Sequence, residues 1–388
     1  MRRRPFVFSI VRFLLGAGAA GLACGACGAG APGVLAAIRP GTFAWDFRNR
    51  PVVAPLEGFE RVLLSPRAFD QAAFDTLLAQ GTHVLVWTQP VWASWDGRPV
   101  TAFPYDRDLL ALAERKNATL TDTLGRRMTL LGPGPHASYL LDFRVEGVAE
   151  ALAEIVTRHF PRAHGVVLDY GCGTLDWNTP GLPASEWARW KRGWFAYVAA
   201  LKSRRPDWQI ITQCDRWPVP APPSTTALAA DGIFLEHAGW TLNPADKVWE
   251  TLKRGTPRAN LLRQEDAVPQ RRRLFAAIAL LTGAAFNQCE VATNALGQAY
   301  PAHFRNVEHF ELDLGSPLGA WKARSKAVYE RRFERGFVLA NLGPTPFRES
   351  RAEAGGKRAI TIAAGDGLVA QTRDAQGQAI AWRTNEGR

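Results

Sequence analysis

Short apolar runs alternate with longer amphipathic stretches from about residue 40 to residue 312. The runs that read as strands are Phe43–Phe47, Val62–Ser65, His83–Trp87, Tyr139–Phe143, Val166–Tyr170, Trp208–Gln213, Gly232–His237, Asn260–Gln264 and Ala284–Gln288. Between them, Val148, Leu152, Ile155 and Val156 recur at helical spacing, as do Trp187, Trp190, Trp194, Val198 and Leu201. The tryptophan stripe reads as a helix packed on a sheet, not as a sugar platform. Strand–helix alternation implies parallel pairing with right-handed crossovers. Roughly eight such units over ~250 residues favour a closed α/β barrel, the (β/α)8 TIM barrel, over an open doubly wound sheet.

After Gly315-Ser316-Pro317 the pattern changes to short alternating runs: Val328–Phe333, Gly336–Asn341, Ala359–Ile362 and Gly367–Ala370, punctuated by Gly, Pro and Asp. These predict a small C-terminal antiparallel β domain. The expected organisation is therefore a barrel over residues 40–315 and a small β-sandwich-like domain over 318–388.

The chain opens differently. Arg2, Arg3 and Arg4 precede an apolar, small-residue stretch from Phe13 to Cys24, too short to span a bilayer as a helix. Residues 1–27 therefore read as a signal peptide, and Arg3-Arg4-Pro5-Phe6-Val7 resembles a twin-arginine export signal. Leu22-Ala23-Cys24 and Gly25-Ala26-Cys27 are imperfect lipoprotein cleavage sites, so a lipid anchor at Cys24 or Cys27 stands beside ordinary cleavage. The expectation is export to the periplasm, the outer membrane or the exterior. Of the formal charge of +11, four positive charges lie at Arg2, Arg3, Arg4 and Arg12, which leaves +7 for the remainder. No nucleic-acid-binding module is recognisable, so nucleic acid is not an expected partner. Of the five cysteines, Cys172, Cys214 and Cys289 lie beyond the signal, and an oxidising compartment would permit a Cys172–Cys214 bridge.

In a βα barrel the carboxyl ends of the strands line one mouth. Taken in order, those ends carry Trp45 and Asp46, Trp87 and Gln89, Asp142 and Arg144, Asp169 and Tyr170, then Gln213, Asp215 and Arg216. Glu236, Gln264 and Glu265, and Asn287 complete the series, and the loop after Asp169 adds Asp176 and Trp177. Carboxylates bind sugar hydroxyls, and aromatic faces cover the apolar side of a pyranose. Glycoside cleavage needs two carboxylates, one as proton donor and one as nucleophile or base. Asp169 and Glu236 both end strongly apolar strands and are the expected catalytic pair; the other residues are candidate substrate binders. An oligo- or polysaccharide is the expected partner, and the chain is expected to act as a monomer.

The segment Asp169-Tyr170-Gly171-Cys172-Gly173-Thr174 also resembles a glycine-rich cofactor loop, including that of S-adenosylmethionine-dependent methyltransferases. That reading requires a helix directly after the turn. Instead Asp176-Trp177-Asn178-Thr179-Pro180-Gly181-Leu182-Pro183 follows, and the next helical pattern begins near Ala184. The seven histidines form no HxxxH pair, and neither a P-loop nor a Gly-x-Ser-x-Gly elbow occurs beyond the signal, so no metal or cofactor is expected. A catalytically silent barrel that binds envelope glycans remains an alternative.

Four segments carry a family resemblance: Leu141-Asp142-Phe143-Arg144, Gly165-Val166-Val167-Leu168-Asp169, Asp231-Gly232-Ile233-Phe234-Leu235-Glu236, and the run from Arg331 to Asn341. Their order, across about residues 40–345, resembles the hypothetical glycosyl hydrolase 15 family, which is similar to endo-α-1,4-polygalactosaminidase-like TIM barrels. The resemblance implies a glycosidase in which an Asp closing the fourth strand and a Glu closing the sixth are catalytic, matching Asp169 and Glu236. Tyr170-Gly171-Cys172-Gly173 departs from the more acidic loop of that family.

Overall fold

The computed structural model describes residues 39–46, 59–66, 71–95, 98–101, 103–129, 136–169, 181–213, 230–238, 244–253, 260–264, 268–293, 299–306, 312–353 and 356–385. The chain begins with β1 (Arg39–Asp46), β2 (Phe59–Leu64), α1 (Gln71–Ala79) and β3 (His83–Thr88). Three short strands follow, β4 (Val91–Trp95), β5 (Arg98–Pro99) and β6 (His136–Leu140), with α2 (Pro104–Arg115) between the last two. Next come α3 (Val148–His159), β7 (Gly165–Leu168), α4 (Ala184–Arg204), β8 (Gln209–Gln213) and β9 (Gly232–Ala238). Then α5 (Ala245–Leu252), β10 (Leu261–Gln264), α6 (Pro269–Thr282), β11 (Ala285–Thr293) and β12 (Ala299–Asn306). The remaining strands are β13 (Lys322–Ala323), β14 (Val328–Phe333), β15 (Gly336–Asn341), β16 (Phe347–Glu353), β17 (Gly356–Ile362), β18 (Asp366–Arg373) and β19 (Ala379–Thr384).

The described residues divide into two compact units. One comprises those of Ala37–Gln89, Phe160–Thr174 and Val198–Arg388, and the other those of Pro90–His159 and Leu175–Tyr197.

In the larger unit, β1, β2, β3, β7, β8, β9, β10 and β11 pair in parallel in that order. β1 also pairs with β11, Thr42 opposite Phe286, so the ring closes on itself. β12 adds antiparallel to β11. The result is the expected TIM-like barrel.

Successive side chains of a strand point to opposite faces. Leu63, Leu85, Val167, Ile211, Phe234, Leu261 and Ala285 form one buried cluster, the barrel's interior. Their neighbours Ile233, Leu235, Leu262 and Phe286 face outward into a second cluster with Trp249 of α5 and Phe275 and Ile278 of α6. Both faces of each strand are apolar because both are covered.

The C-terminal strands form the expected antiparallel β domain: a sheet in the order β13-β14-β15-β18-β19 and a hairpin of β16 and β17. Alternation again divides the work. Phe337 and Leu339 of β15 pack with Ile360 and Ile362 of the hairpin, while Val338 and Ala340 pack with α6. Arg273 of α6 clamps Asp366 of β18 through Nε and Nη2, at 3.0 and 2.7 Å.

One expected barrel strand is a correction. Tyr139–Phe143 does not join the ring: β6 ends at Leu140 and pairs antiparallel with β4 in a three-stranded sheet of the smaller unit. Local apolarity cannot distinguish a barrel strand from any other buried strand, because the partner strand decides. Asp142 is therefore not the end of a barrel stave. Its carboxylate accepts hydrogen bonds from the backbone N–H and Nε of Arg144 at 3.0 and 2.8 Å, and from Nη2 at 2.7 Å. Nη1 of Arg144 reaches Glu186 of α4 at 2.6 Å. The expected tryptophan stripe is core: Trp187, Trp190 and Trp194 are buried, and Trp190 donates to the carbonyl of Leu141 at 2.9 Å.

Candidate active site

All eight parallel staves run in one direction, so their carboxyl ends share one rim. Two residues beyond each inward apolar residue, the side chain again faces inward. Counting from the interior cluster places Ser65 beyond Leu63, Trp87 beyond Leu85, Asp169 beyond Val167, Gln213 beyond Ile211, Arg263 beyond Leu261, and Asn287 beyond Ala285. An apolar floor thus carries a layer of polar and aromatic groups. They are enclosed: Asp169 is 3% exposed, Gln213 6%, Arg263 1% and Asn287 0%. Burying that many polar groups costs several kcal/mol unless they are hydrogen-bonded, and enclosed polar groups of this kind mark a candidate site.

Asp169 is the best-defined member. It follows β7 directly, and its N–H donates to the carbonyl of Thr88 at 3.0 Å, which extends the ladder by one residue. The amide Nε2 of Gln89 donates to its Oδ2 at 2.7 Å. Trp87, on the same strand as the approach to Gln89, is half-buried and packs on the interior cluster. Gln213 pairs in register with Phe234, and Asn287 with Arg263.

The remaining expected residues are located by backbone alone or not at all. Trp45 and Asp46 stand opposite Leu63 and Leu64 in register. Glu236 lies in β9 two residues past the interior Phe234, and Gln264 ends β10 opposite Gln288. The side chains of Trp45, Asp46, Glu236 and Gln264 fall outside the described set, as do Tyr170, Asp176, Trp177, Asp215, Arg216 and Glu265 altogether. The Cys172–Cys214 bridge and the signal peptide, with Cys24 and Cys27, also lie outside the described residues. Asp142 and Arg144 belong to the other unit.

Sequence reasoning passed over Arg263 and Ser65. The available signal for Arg263 was period 2: in Leu261-Leu262-Arg263-Gln264 the arginine shares a face with Leu261, whereas Gln264 shares one with Leu262.

The opposite end of the staves holds a second group of titratable residues. His83 opens β3, His164 immediately precedes β7, and their rings stack with centroids 4.3 Å apart. The N–H of Val84 donates to Nδ1 of His164 at 3.1 Å, which requires that nitrogen to be unprotonated. Burial, then the neighbouring His164 and Arg61, push the His83 imidazole down to about 4. Burial also lowers His164. Among the described residues, no group of three His, Cys, Asp or Glu could hold a metal ion, and no helix is long and apolar enough to cross a membrane.

No family model matches the chain, and no curated protein sequence does, so the resemblance to the hypothetical glycosyl hydrolase 15 family is not confirmed. Solved structures similar to it include a glycoside hydrolase domain and a debranching enzyme. The glycoside hydrolase domain of PelA from Pseudomonas aeruginosa is 17% identical over 68% of this chain and 98% of that one, with a TM-score of 0.44. The debranching enzyme of Nostoc punctiforme is 13% identical over 80% and 85%, TM-score 0.43. Amy13B of Eubacterium rectale is 9% identical over 87% and 96%, TM-score 0.48. At these values the similarities assign neither fold nor function.

Proposed function

We propose that the protein is an exported glycoside hydrolase that cleaves a bacterial poly- or oligosaccharide with Asp169 and Glu236 as its two carboxylates. The observation that carries this reading is the inward polar layer on the carboxyl rim, with Asp169 buried in it and oriented by Gln89. An enclosed acid beside neutral amides and an indole suits a sugar: amides read hydroxyls, and the Trp87 ring faces the apolar side of the pyranose. In the proposed reaction one carboxylic acid protonates the glycosidic oxygen as the bond to the anomeric carbon breaks. The other carboxylate attacks that carbon or deprotonates the water that does, and the positive charge developing on the sugar ring lies between them. Gln213 and Asn287 would hold the hydroxyls of the sugar being cleaved. In the proposed export, residues 1–27 are removed, with Cys24 or Cys27 available for lipid attachment.

The test is to screen the chain without residues 1–27 against amino-sugar-containing and acidic exopolysaccharides, scoring new reducing ends. Asp169→Asn and Glu236→Gln should each lower the cleavage rate by about 100-fold or more while leaving glycan affinity within a few-fold. Glycan binding without cleavage by the unmodified protein would instead establish a non-catalytic binder.

A further inference from the structure

Arg263 is the one full positive charge described on the inward carboxyl layer, and the reading of the site so far gives it no task. The residue is 1% exposed. Outward-facing Leu262 packs with α5 and α6, so the arginine's burial is inside the barrel. Enclosing a cation there costs several kcal/mol unless an anion lies beside it. On one side, Arg263 pairs in register with neutral Asn287 of β11. On the other, Leu262 stands opposite Leu235 and Gln264 opposite Ala238, so β9 carries one extra residue across this step. Arg263 is therefore level with Glu236 and His237, and of these two only Glu236 supplies an anion. Bulges of this kind recur beside active sites, where they re-aim a side chain.

We infer that Arg263 is a positioning residue that pairs with Glu236 and fixes it as the charged carboxylate of the site. The consequence rests on the hydrolase reading: Glu236 is then the nucleophile or base, and Asp169 the proton donor. An adjacent guanidinium favours the ionised form of a carboxyl group, which suits a nucleophile and not an acid.

The pairing is tested without any substrate by a double-mutant cycle in urea on the full chain. Arg263→Met should lower the folding equilibrium constant by more than about 100-fold when Glu236 is present, because one buried charge is stranded. In a Glu236→Gln background the same substitution should cost at least tenfold less, and strictly additive effects overturn the inference. Should Arg263→Met fail to fold, 13C titration of the unmodified protein replaces it, with Glu236→Gln identifying the resonance. Titration of Glu236 below the ordinary glutamate value of about 4.3 supports the pairing, and a value at or above it overturns it. On a cleavable glycan, Arg263→Lys should lower kcat more than it changes KM, and its acid limb of kcat/KM should move to higher pH; an unshifted limb overturns the positioning role. Coupling in urea without cleavage of any glycan would keep the pairing and remove the hydrolase reading.

Discussion

The side-chain amide of Gln89 donates to Oδ2 of Asp169 across 2.7 Å, joining the ends of two adjacent parallel staves. Strand pairing sets this bond: Thr88 is opposite Leu168, so the next residue on each strand emerges at the same height. A hydrogen bond from a neighbour's amide reduces the rotamer freedom of a buried carboxylate, and in the proposed hydrolase it would position the group that exchanges a proton with the glycosidic oxygen.

Gln89→Ala removes that donor and leaves the backbone unchanged. Because a hydrogen bond to a charged or ionisable group is worth about 1.5–3 kcal/mol, turnover of a cleavable glycan should fall about 10- to 100-fold. Asp169→Asn should cost about 100- to 10,000-fold, the usual contribution of a positioned acid or base. Steady-state rates on the same substrate check the ranking, and a Gln89→Ala loss equal to that of Asp169→Asn would contradict it.

Stability should fall on acidification through the His83 imidazole. The unfolded chain takes up a proton near pH 6.5, whereas the folded protein resists until about pH 4. The contribution is therefore complete above pH 6.5 and is lost as pH falls from 6.5 towards 4. Protonating His164 adds to the loss, since Nδ1 can no longer accept from Val84. Urea midpoints between pH 7.5 and 4.5 measure this, and His83→Gln should flatten the slope. A slope identical to that of the unmodified protein would remove His83 from the account.

The C-terminal domain contains a buried ion pair. Nη2 of Arg351 donates to Oε2 of Glu330 at 2.9 Å, with both side chains under 10% exposed, and the guanidinium lies 4.2 Å from the Phe337 ring centroid. Arg324 and Arg332 also reach Glu330, through Nε at 3.3 and 3.2 Å, so Arg351→Met removes one of these three cations and should destabilise the fold by about 1.5–3 kcal/mol in urea. In a Glu330→Gln background the same substitution should cost less. An equal cost in both backgrounds would show that packing on Phe337, not charge, carries the effect.

The close approach of β18 to α6 depends on Gly367. A Cβ there would lie 2.4 Å from the carbonyl oxygen of Arg273 and 2.7 Å from the Cβ of Ala277. Gly367→Ala must force helix and strand apart at the Arg273–Asp366 clamp, at about 1–3 kcal/mol. Denaturant unfolding should show this loss, whereas Gly365→Ala at the neighbouring turn meets no atom within 4 Å and pays only for its positive φ.

The barrel was legible because its staves are apolar on both faces and separated by helical spacing, a pattern that depends on burial and not on a particular partner. Position alone marked Asp169, as the first polar residue after Val166-Val167-Leu168. Arg263 was harder to see: inside a four-residue run, direction depends on knowing that Leu261 rather than Leu262 faces the interior. The His83–His164 stack was invisible, because those residues are 81 positions apart and meet only when β3 and β7 become neighbours.

The amino-acid order by itself determined the strand and helix periodicities, the change to antiparallel character after residue 315, and the carboxylate at the close of a buried strand. Tertiary pairing alone decided that Tyr139–Phe143 stays out of the ring, that Asp142 is bound to Arg144, and that Arg263 faces inward. The reason is physical. Burial patterns are written into neighbouring residues, but the partner of a strand and the direction of a side chain are set by backbone hydrogen bonds to segments far away in sequence.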